Sequence, residues 1–166
     1  MKILMIFILV ISLFSCNLEE KQCSEITVSA FTHVESDSLV LYKAANGSFY
    51  KIIGPDEEAG WIVEILKSEK GYFNINIPDL DINDVWVKKG CVALNTRNYD
   101  GKKIRLYDKP NTSSSIKSYL ISEQTVKVLN VCANWVYIEG KGNNGETVEG
   151  WLEPEMQCSS PYSTCP

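Results

Sequence analysis

Val126-Lys127-Val128-Leu129-Asn130-Val131-Cys132-Ala133-Asn134-Trp135-Val136-Tyr137-Ile138 sets two short apolar runs on either side of a turn, the second headed by an aromatic residue. A strand period of two puts Val136 and Ile138 on one face and Trp135 with Tyr137 on the other. If the aliphatic pair is core, the aromatic pair faces outward. Working outward, the same kind of run recurs at Ile26 to Ala30, Ser38 to Tyr42, Ile62 to Leu66 and Tyr72 to Ile77. Turn formers separate the runs: Asn46-Gly47, Gly54-Pro55, Lys70-Gly71, Asp100-Gly101, Lys109-Pro110-Asn111 and Asn144-Gly145. No segment keeps helical apolar spacing over a normal helix length, so the fold class is all-β.

Laid over itself, the chain repeats. Leu41-Tyr42 and Trp86-Val87 recur 65 residues later as Leu106-Tyr107 and Trp151-Leu152. Between these anchors Val63, Ile65, Leu66, Tyr72, Phe73 and Ile75 match Val126, Val128, Leu129, Trp135, Val136 and Ile138 at an offset of 63. A two-residue change in loop length reconciles the offsets. The reading is two copies of one small barrel, at 24–94 and 102–157, joined by a linker at 95–101.

The order within each copy is a Leu-Tyr strand, a long loop, an apolar strand, a tight turn, an aromatic-led strand, a variable hairpin and a Trp before a final strand. It resembles the bacterial SH3-like (SH3b) family. The second copy carries the likeness through Ile104 to Pro110, Val126 to Leu129, Asn134 to Ile138 and Glu149-Gly150-Trp151-Leu152, about fifty residues in all. The first copy departs from the pattern, with Val85 in place of the Gly before Trp86 and Tyr72 in place of the Asn-Trp tryptophan. The resemblance implies two tandem SH3-like barrels with a peptide groove beside Tyr107, Trp135 and Pro154. The strand period adds Tyr137 and, in the first copy, Tyr72 to the outward aromatic set. An inter-copy packing role for Trp135 and Tyr137 is the competing expectation, and Trp86 and Trp151, each beside a closing strand, are expected in the core. Trp61 has no counterpart and no assigned role.

At the other end of the chain, Lys2 precedes an apolar run from Ile3 to Phe14 that closes on Leu13-Phe14-Ser15-Cys16. A run twelve residues long falls short of the roughly 20 apolar residues that span a bilayer and suits an export signal over residues 1–15. The closing tetrapeptide resembles the lipobox of bacterial lipoproteins, which implies diacylation of Cys16 and cleavage before it. An ordinary secretory signal and an uncleaved anchor are the plainer alternatives. Glu19-Glu20, in the tether at 16–23, resembles the surface-export signal of Bacteroidota-type lipoproteins, but a solvated tether would look the same. The expected location is the bacterial cell envelope, on an outer-membrane lipid anchor, facing the periplasm or the surface.

Charge and cysteines narrow the function. Sixteen basic against 21 acidic residues, with no basic block, argue against nucleic acid, whose phosphates supply most such affinity. Membrane attachment would come from the lipid alone. Apart from Cys16, five cysteines are left in an oxidising compartment, an odd number. Cys158 and Cys165 bracket a short Pro161-containing turn and are the expected disulfide. Cys132, in an apolar run, reads as a buried hydrophobe, and a Cys23 to Cys91 bridge is possible but unsupported.

Catalytic and metal chemistry find little footing. SH3b domains often accompany NlpC-type cysteine peptidases, but His33 is the one histidine, no cysteine has the setting of that nucleophile, and two barrels leave no room for a peptidase domain. Asp79-Leu80-Asp81-Ile82-Asn83-Asp84 begins like a calcium loop, yet Asp84 stands where that loop needs Gly and Gly90 where it needs Glu. It reads as a polar hairpin, and no metal or cofactor is expected. The expected role is non-catalytic binding or scaffolding, with a cell-wall peptide or glycan or an envelope protein as ligand. The alternative is an inhibitor, immunity or assembly subunit of an envelope enzyme.

Overall fold

The structure, a computed structural model, describes residues 23, 26, 28–33, 38–54, 60–98, 101 and 103–160. The expected signal segment, Cys16 and Cys165 lie outside the described residues.

Thirteen strands form among the described residues: β1 (Val28–Thr32), β2 (Leu39–Tyr42), β3 (Phe49–Ile53), β4 (Ile62–Glu69), β5 (Tyr72–Ile77), β6 (Ile82–Lys88), β7 (Val92–Thr96), β8 (Ile104–Tyr107), β9 (Ile116–Leu120), β10 (Thr125–Cys132), β11 (Trp135–Lys141), β12 (Thr147–Leu152) and β13 (Gln157–Cys158). Every pairing is antiparallel, and the strands make one open sheet in the order β3-β2-β6-β5-β4-β1-β7-β10-β11-β12-β8-β9, with β13 beside β7. The protein is all-β.

Alternation explains which residues go inside. Phe73, Ile75 and Ile77 on β5 and Val136 and Ile138 on β11 have no exposed surface. They join Leu41, Val63, Ile65, Leu94, Leu106, Val128 and Leu152 in a single apolar cluster running through both halves. Each such side chain contributes about 1.5–3 kcal/mol on leaving water. The 3-10 turn Pro78–Leu80 and Asp81 in the left-handed region (φ 52°) carry the chain from β5 to β6. There the Asp84 carboxylate accepts from Asn74 Nδ2 (2.9 Å) and its backbone N–H donates to Asn76 Oδ1 (3.0 Å), as a polar hairpin would.

The internal repeat extends to hydrogen-bond register. The path β3-β2-β6-β5-β4-β1 is retraced as β9-β8-β12-β11-β10-β7. Tyr42 pairs with Trp86 and Tyr107 with Trp151; Ile65 pairs with Ile75 and Val128 with Ile138. The bulges recur too, after Leu41 and Leu106 and after Ile65 and Val128. Beside β7, side chains join the halves where Asn130 Oδ1 accepts from Ser68 Oγ (2.6 Å) and Lys89 Nζ (3.0 Å). Burial of Lys89 over the Phe73 ring lowers its pKa.

Three expectations change. The linker read at 95–101 begins inside β7, where Asn95 pairs with Thr125 and Thr96 with Gln157, so β7 serves both halves. Cys132 is buried, but as half of a disulfide with Cys23, 109 residues away, and Cys91 is the free cysteine among the described residues. Trp86 and Trp151 are half-buried and lie outside the core. Val85 and Val87 on β6, and Gly150 and Leu152 on β12, take the buried positions, so the same period of two turns each Trp outward. Cys158 is buried and disulfide-bonded.

Trp61 also finds a role. Its backbone N–H donates to Thr32 Oγ1 (2.9 Å) and its indole N–H to Gly54 O (3.1 Å), pinning the end of β3 to β1. Gly60 before it has φ 104°, and a Cβ there would lie 2.1 Å from Thr32 O, so only glycine fits.

Candidate functional site

The outward face of the second half gathers four aromatic side chains. Trp135 leads β11 and meets Tyr107 of β8 edge to face, with centroids 5.6 Å apart. Tyr137, two residues on, meets Trp151 of β12 in the same way at 5.4 Å. Such pairs contribute about 0.5–1.5 kcal/mol beyond burial and hold the rings in fixed orientations. Tyr107 is 3% exposed and forms the floor, while Trp135, Tyr137 and Trp151 are half-buried and present surface.

A bulge adds the cation. Lys117 is the extra residue where β8 and β9 slip register, and a bulge re-aims the side chain it carries. Lys117 Nζ lies 5.2 Å from the Tyr137 ring centroid and donates to its hydroxyl (2.8 Å), which in turn donates to Glu149 Oε2 (3.2 Å). That hydroxyl, more than the nearby carboxylates, raises the Lys117 pKa.

Beside Trp151 a cleft of about 210 Å³ opens, walled by Asp108, Lys109, Pro110, Asn111 and the Cys23–Cys132 bridge. Drug-sized ligands occupy about 300–1,000 Å³, so this cleft has room for one ring or one side chain. Ser115 Oγ donates to Asp108 Oδ2 at its rim. The turn that carries Trp135 is fastened from two directions. Cys132 is bridged to Cys23, and Gln157 Nε2 donates to Asn134 O (2.8 Å) and Leu152 O (3.2 Å).

Of the residues expected here, Tyr107, Trp135 and Tyr137 come together. Pro154 opens the 3-10 turn Pro154–Met156 after β12, and the segment it begins reaches the Trp135 turn through Gln157. Tyr72 belongs to the equivalent place in the first half, edge to face with Tyr42 at 5.4 Å. There Trp86 is covered by Lys67, 5.9 Å from its centroid, and the counterpart of Tyr137 is Asn74. Trp151, Lys117, Glu149 and the bridge were missed. The run Gly150-Trp151-Leu152 carried a usable signal for Trp151, whereas nothing local marks a bulge or a bridge over 109 residues.

His33 stands apart, exposed at the end of β1, with its backbone N–H donating to Cys91 O (2.9 Å). It borders a cleft of about 160 Å³ with Lys127, Glu139 and Lys141. Burial raises the pKa of the half-buried Cys91 thiol, against the pull of Lys88 and Lys127. No group of three or more His, Cys, Asp or Glu is gathered as a metal-ligand set among the described residues.

No protein-family model matches the chain, and no curated protein matches it. Among solved structures it is similar to NlpC2 from Trichomonas vaginalis, at 16% identity and a TM-score of 0.33 over 81% of this chain and 48% of that one. It is similar to NlpC1 of the same organism at 17% and 0.33, over 79% and 45%. The chain spans just under half the length of these structures, and likeness at this level carries no inference about activity.

Proposed function

We propose that this chain is a non-catalytic lipoprotein of the bacterial cell envelope, anchored through Cys16 in the outer membrane and built as two tandem SH3-like barrels. It binds a cell-wall peptide or glycan, or an envelope protein, through the aromatic face of its second half. The retraced strand order supports the tandem reading. The observation that carries the binding role is the position of Trp135. It is half-exposed, its ring partner Tyr107 lies in the same half, and Ser68, Lys89 and Asn130 make the side-chain junction between halves instead. Exposed, rigid aromatics with a neighbouring cleft are typical ligand anchors.

Retention on purified cell-wall sacculi tests this. Trp135→Ala should lower retention about tenfold, the loss expected of an anchor worth more than about 1 kcal/mol, with melting shifted by only a few degrees. Unchanged retention, or collapse of the fold, refutes the role. Cys16→Ser should release the chain from membranes, and continued membrane retention would count against lipidation.

An inhibitor, immunity or assembly role is favoured by a different observation. Edge strand β3 exposes Phe49 (59%), Tyr50 (46%) and Ile52 (54%) and, among the described residues, pairs only with β2. Bare apolar edges invite a partner chain. On that reading Ile52→Lys should abolish capture of an envelope protein, with Trp135→Ala silent.

A further inference from the structure

We propose that the Cys23–Cys132 disulfide is a redox latch on the second-half cleft, opened by a dithiol reductant that attacks Cys23. The proposal rests on reading that cleft as the binding site.

Three features meet at the bridge. It lines the cleft together with Trp151 and Pro110. Cys132 ends β10 and pairs in register with Trp135, so the bridge sits at the root of the turn that carries that anchor. Between them Ala133 holds φ 52°, a left-handed conformation that alanine rarely adopts. In the first half the same turn is Lys70-Gly71, where Lys70, the counterpart of Ala133, holds φ 44° and Gly71 φ 82° with no bridge beside them. The second-half turn is fastened in addition by one covalent bond on one side and the Gln157 hydrogen bonds on the other.

The two sulfurs differ in access. Cys23 is half-buried at the cleft, whereas Cys132 is 2% exposed. A reductant thiolate therefore bonds to Cys23 Sγ while the Cys23–Cys132 bond breaks, and Cys132 leaves as a thiolate that takes up a proton. The second thiolate of the reductant then attacks its own partner sulfur in the mixed disulfide and releases Cys23, which is also protonated. Two electrons pass to the protein, and the reductant ends as a disulfide. With the bridge gone, the turn is held by the Gln157 hydrogen bonds alone, Trp135 swings off the Tyr107 edge, and residue 23 leaves the cleft wall.

The test follows the Trp135 indole N–H by NMR in the full-length chain, with no ligand present. Cys23→Ser should move that resonance while leaving core methyl signals in place, and dithiothreitol on the wild type should move it in the same way. Limiting glutathione should leave its adduct on Cys23. An unmoved indole after verified reduction, or an adduct on Cys132, overturns the latch. If Cys23→Ser fails to fold, the dithiothreitol-treated wild type decides. Loss of sacculus retention has no bearing on these signals, so failure of the binding reading and failure of the latch are separable.

Discussion

The two halves share a strand order, a register and a pair of bulges, yet they finish the same outward face differently. In the second half, Trp151 lines a cleft, a bulged Lys117 reaches Tyr137, and a disulfide forms part of the cleft wall. In the first, Tyr72 takes the place of Trp135, Asn74 that of Tyr137, and Lys67 lies over Trp86. Even a hydrogen bond is conserved in position while its chemistry changes. Tyr137 donates to Glu149 where Asn74 donates to Asp84. One scaffold therefore carries two chemically different outward faces, and only a handful of outward residues distinguish them.

The largest expected break in this comparison lies under the site, at Gly150. A Cβ there would stand 2.8 Å from Leu106 Cβ, whereas the first half fits Val85 at the same place, buried to 5% exposure. Gly150→Val should cost about 1–3 kcal/mol, roughly 3–10 °C in melting by calorimetry. A shift below about 1 °C would mean the halves pack alike there. Next, Tyr72→Ala set beside Trp135→Ala on sacculi should leave retention unchanged, since the proposed binding face lies in the second half; matching losses would make the two faces equivalent.

The smallest effect is a pH dependence at Glu153, which stands where the first half has Lys88. Burial, then Glu155, raises its carboxyl pKa against the pull of Arg105. The folded state then holds the proton more tightly than the unfolded chain, so stability falls as pH rises from the ordinary glutamate value through the raised one. Glu153→Gln should raise melting by about 1 °C at pH 7, a few tenths of a kcal/mol for a half-buried group, and change nothing below about pH 4. Equal effects at both pH values would place the cause elsewhere.

Much of this could be read in the sequence. The alternation in Trp135-Val136-Tyr137-Ile138 located the inner and outer faces of β11, and the 65- and 63-residue offsets located equivalent strands to the residue. The same period of two, applied to Val85-Trp86-Val87 and Gly150-Trp151-Leu152, turns both Trp residues outward; the expectation of a core role came from their nearness to a closing strand, a weaker guide. The bridge from Cys23 to Cys132 was out of reach because pairing depends on where distant chain segments meet. The position of Lys117 depends on a one-residue slip that composition does not record.

The strand β7 settles a practical matter. Along one edge it is bonded by β1 at Val92 and Ala93 and then by β13 at Asn95 and Thr96, while β10 takes the other edge. No point of cleavage leaves both halves with complete hydrogen bonding. Cut after residue 98, the C-terminal fragment carries β10 with a bare edge; cut before residue 92, the N-terminal fragment loses the neighbour of β1. The chain should therefore melt in a single transition and resist being divided into working modules, so a search for the ligand is best made with the undivided protein.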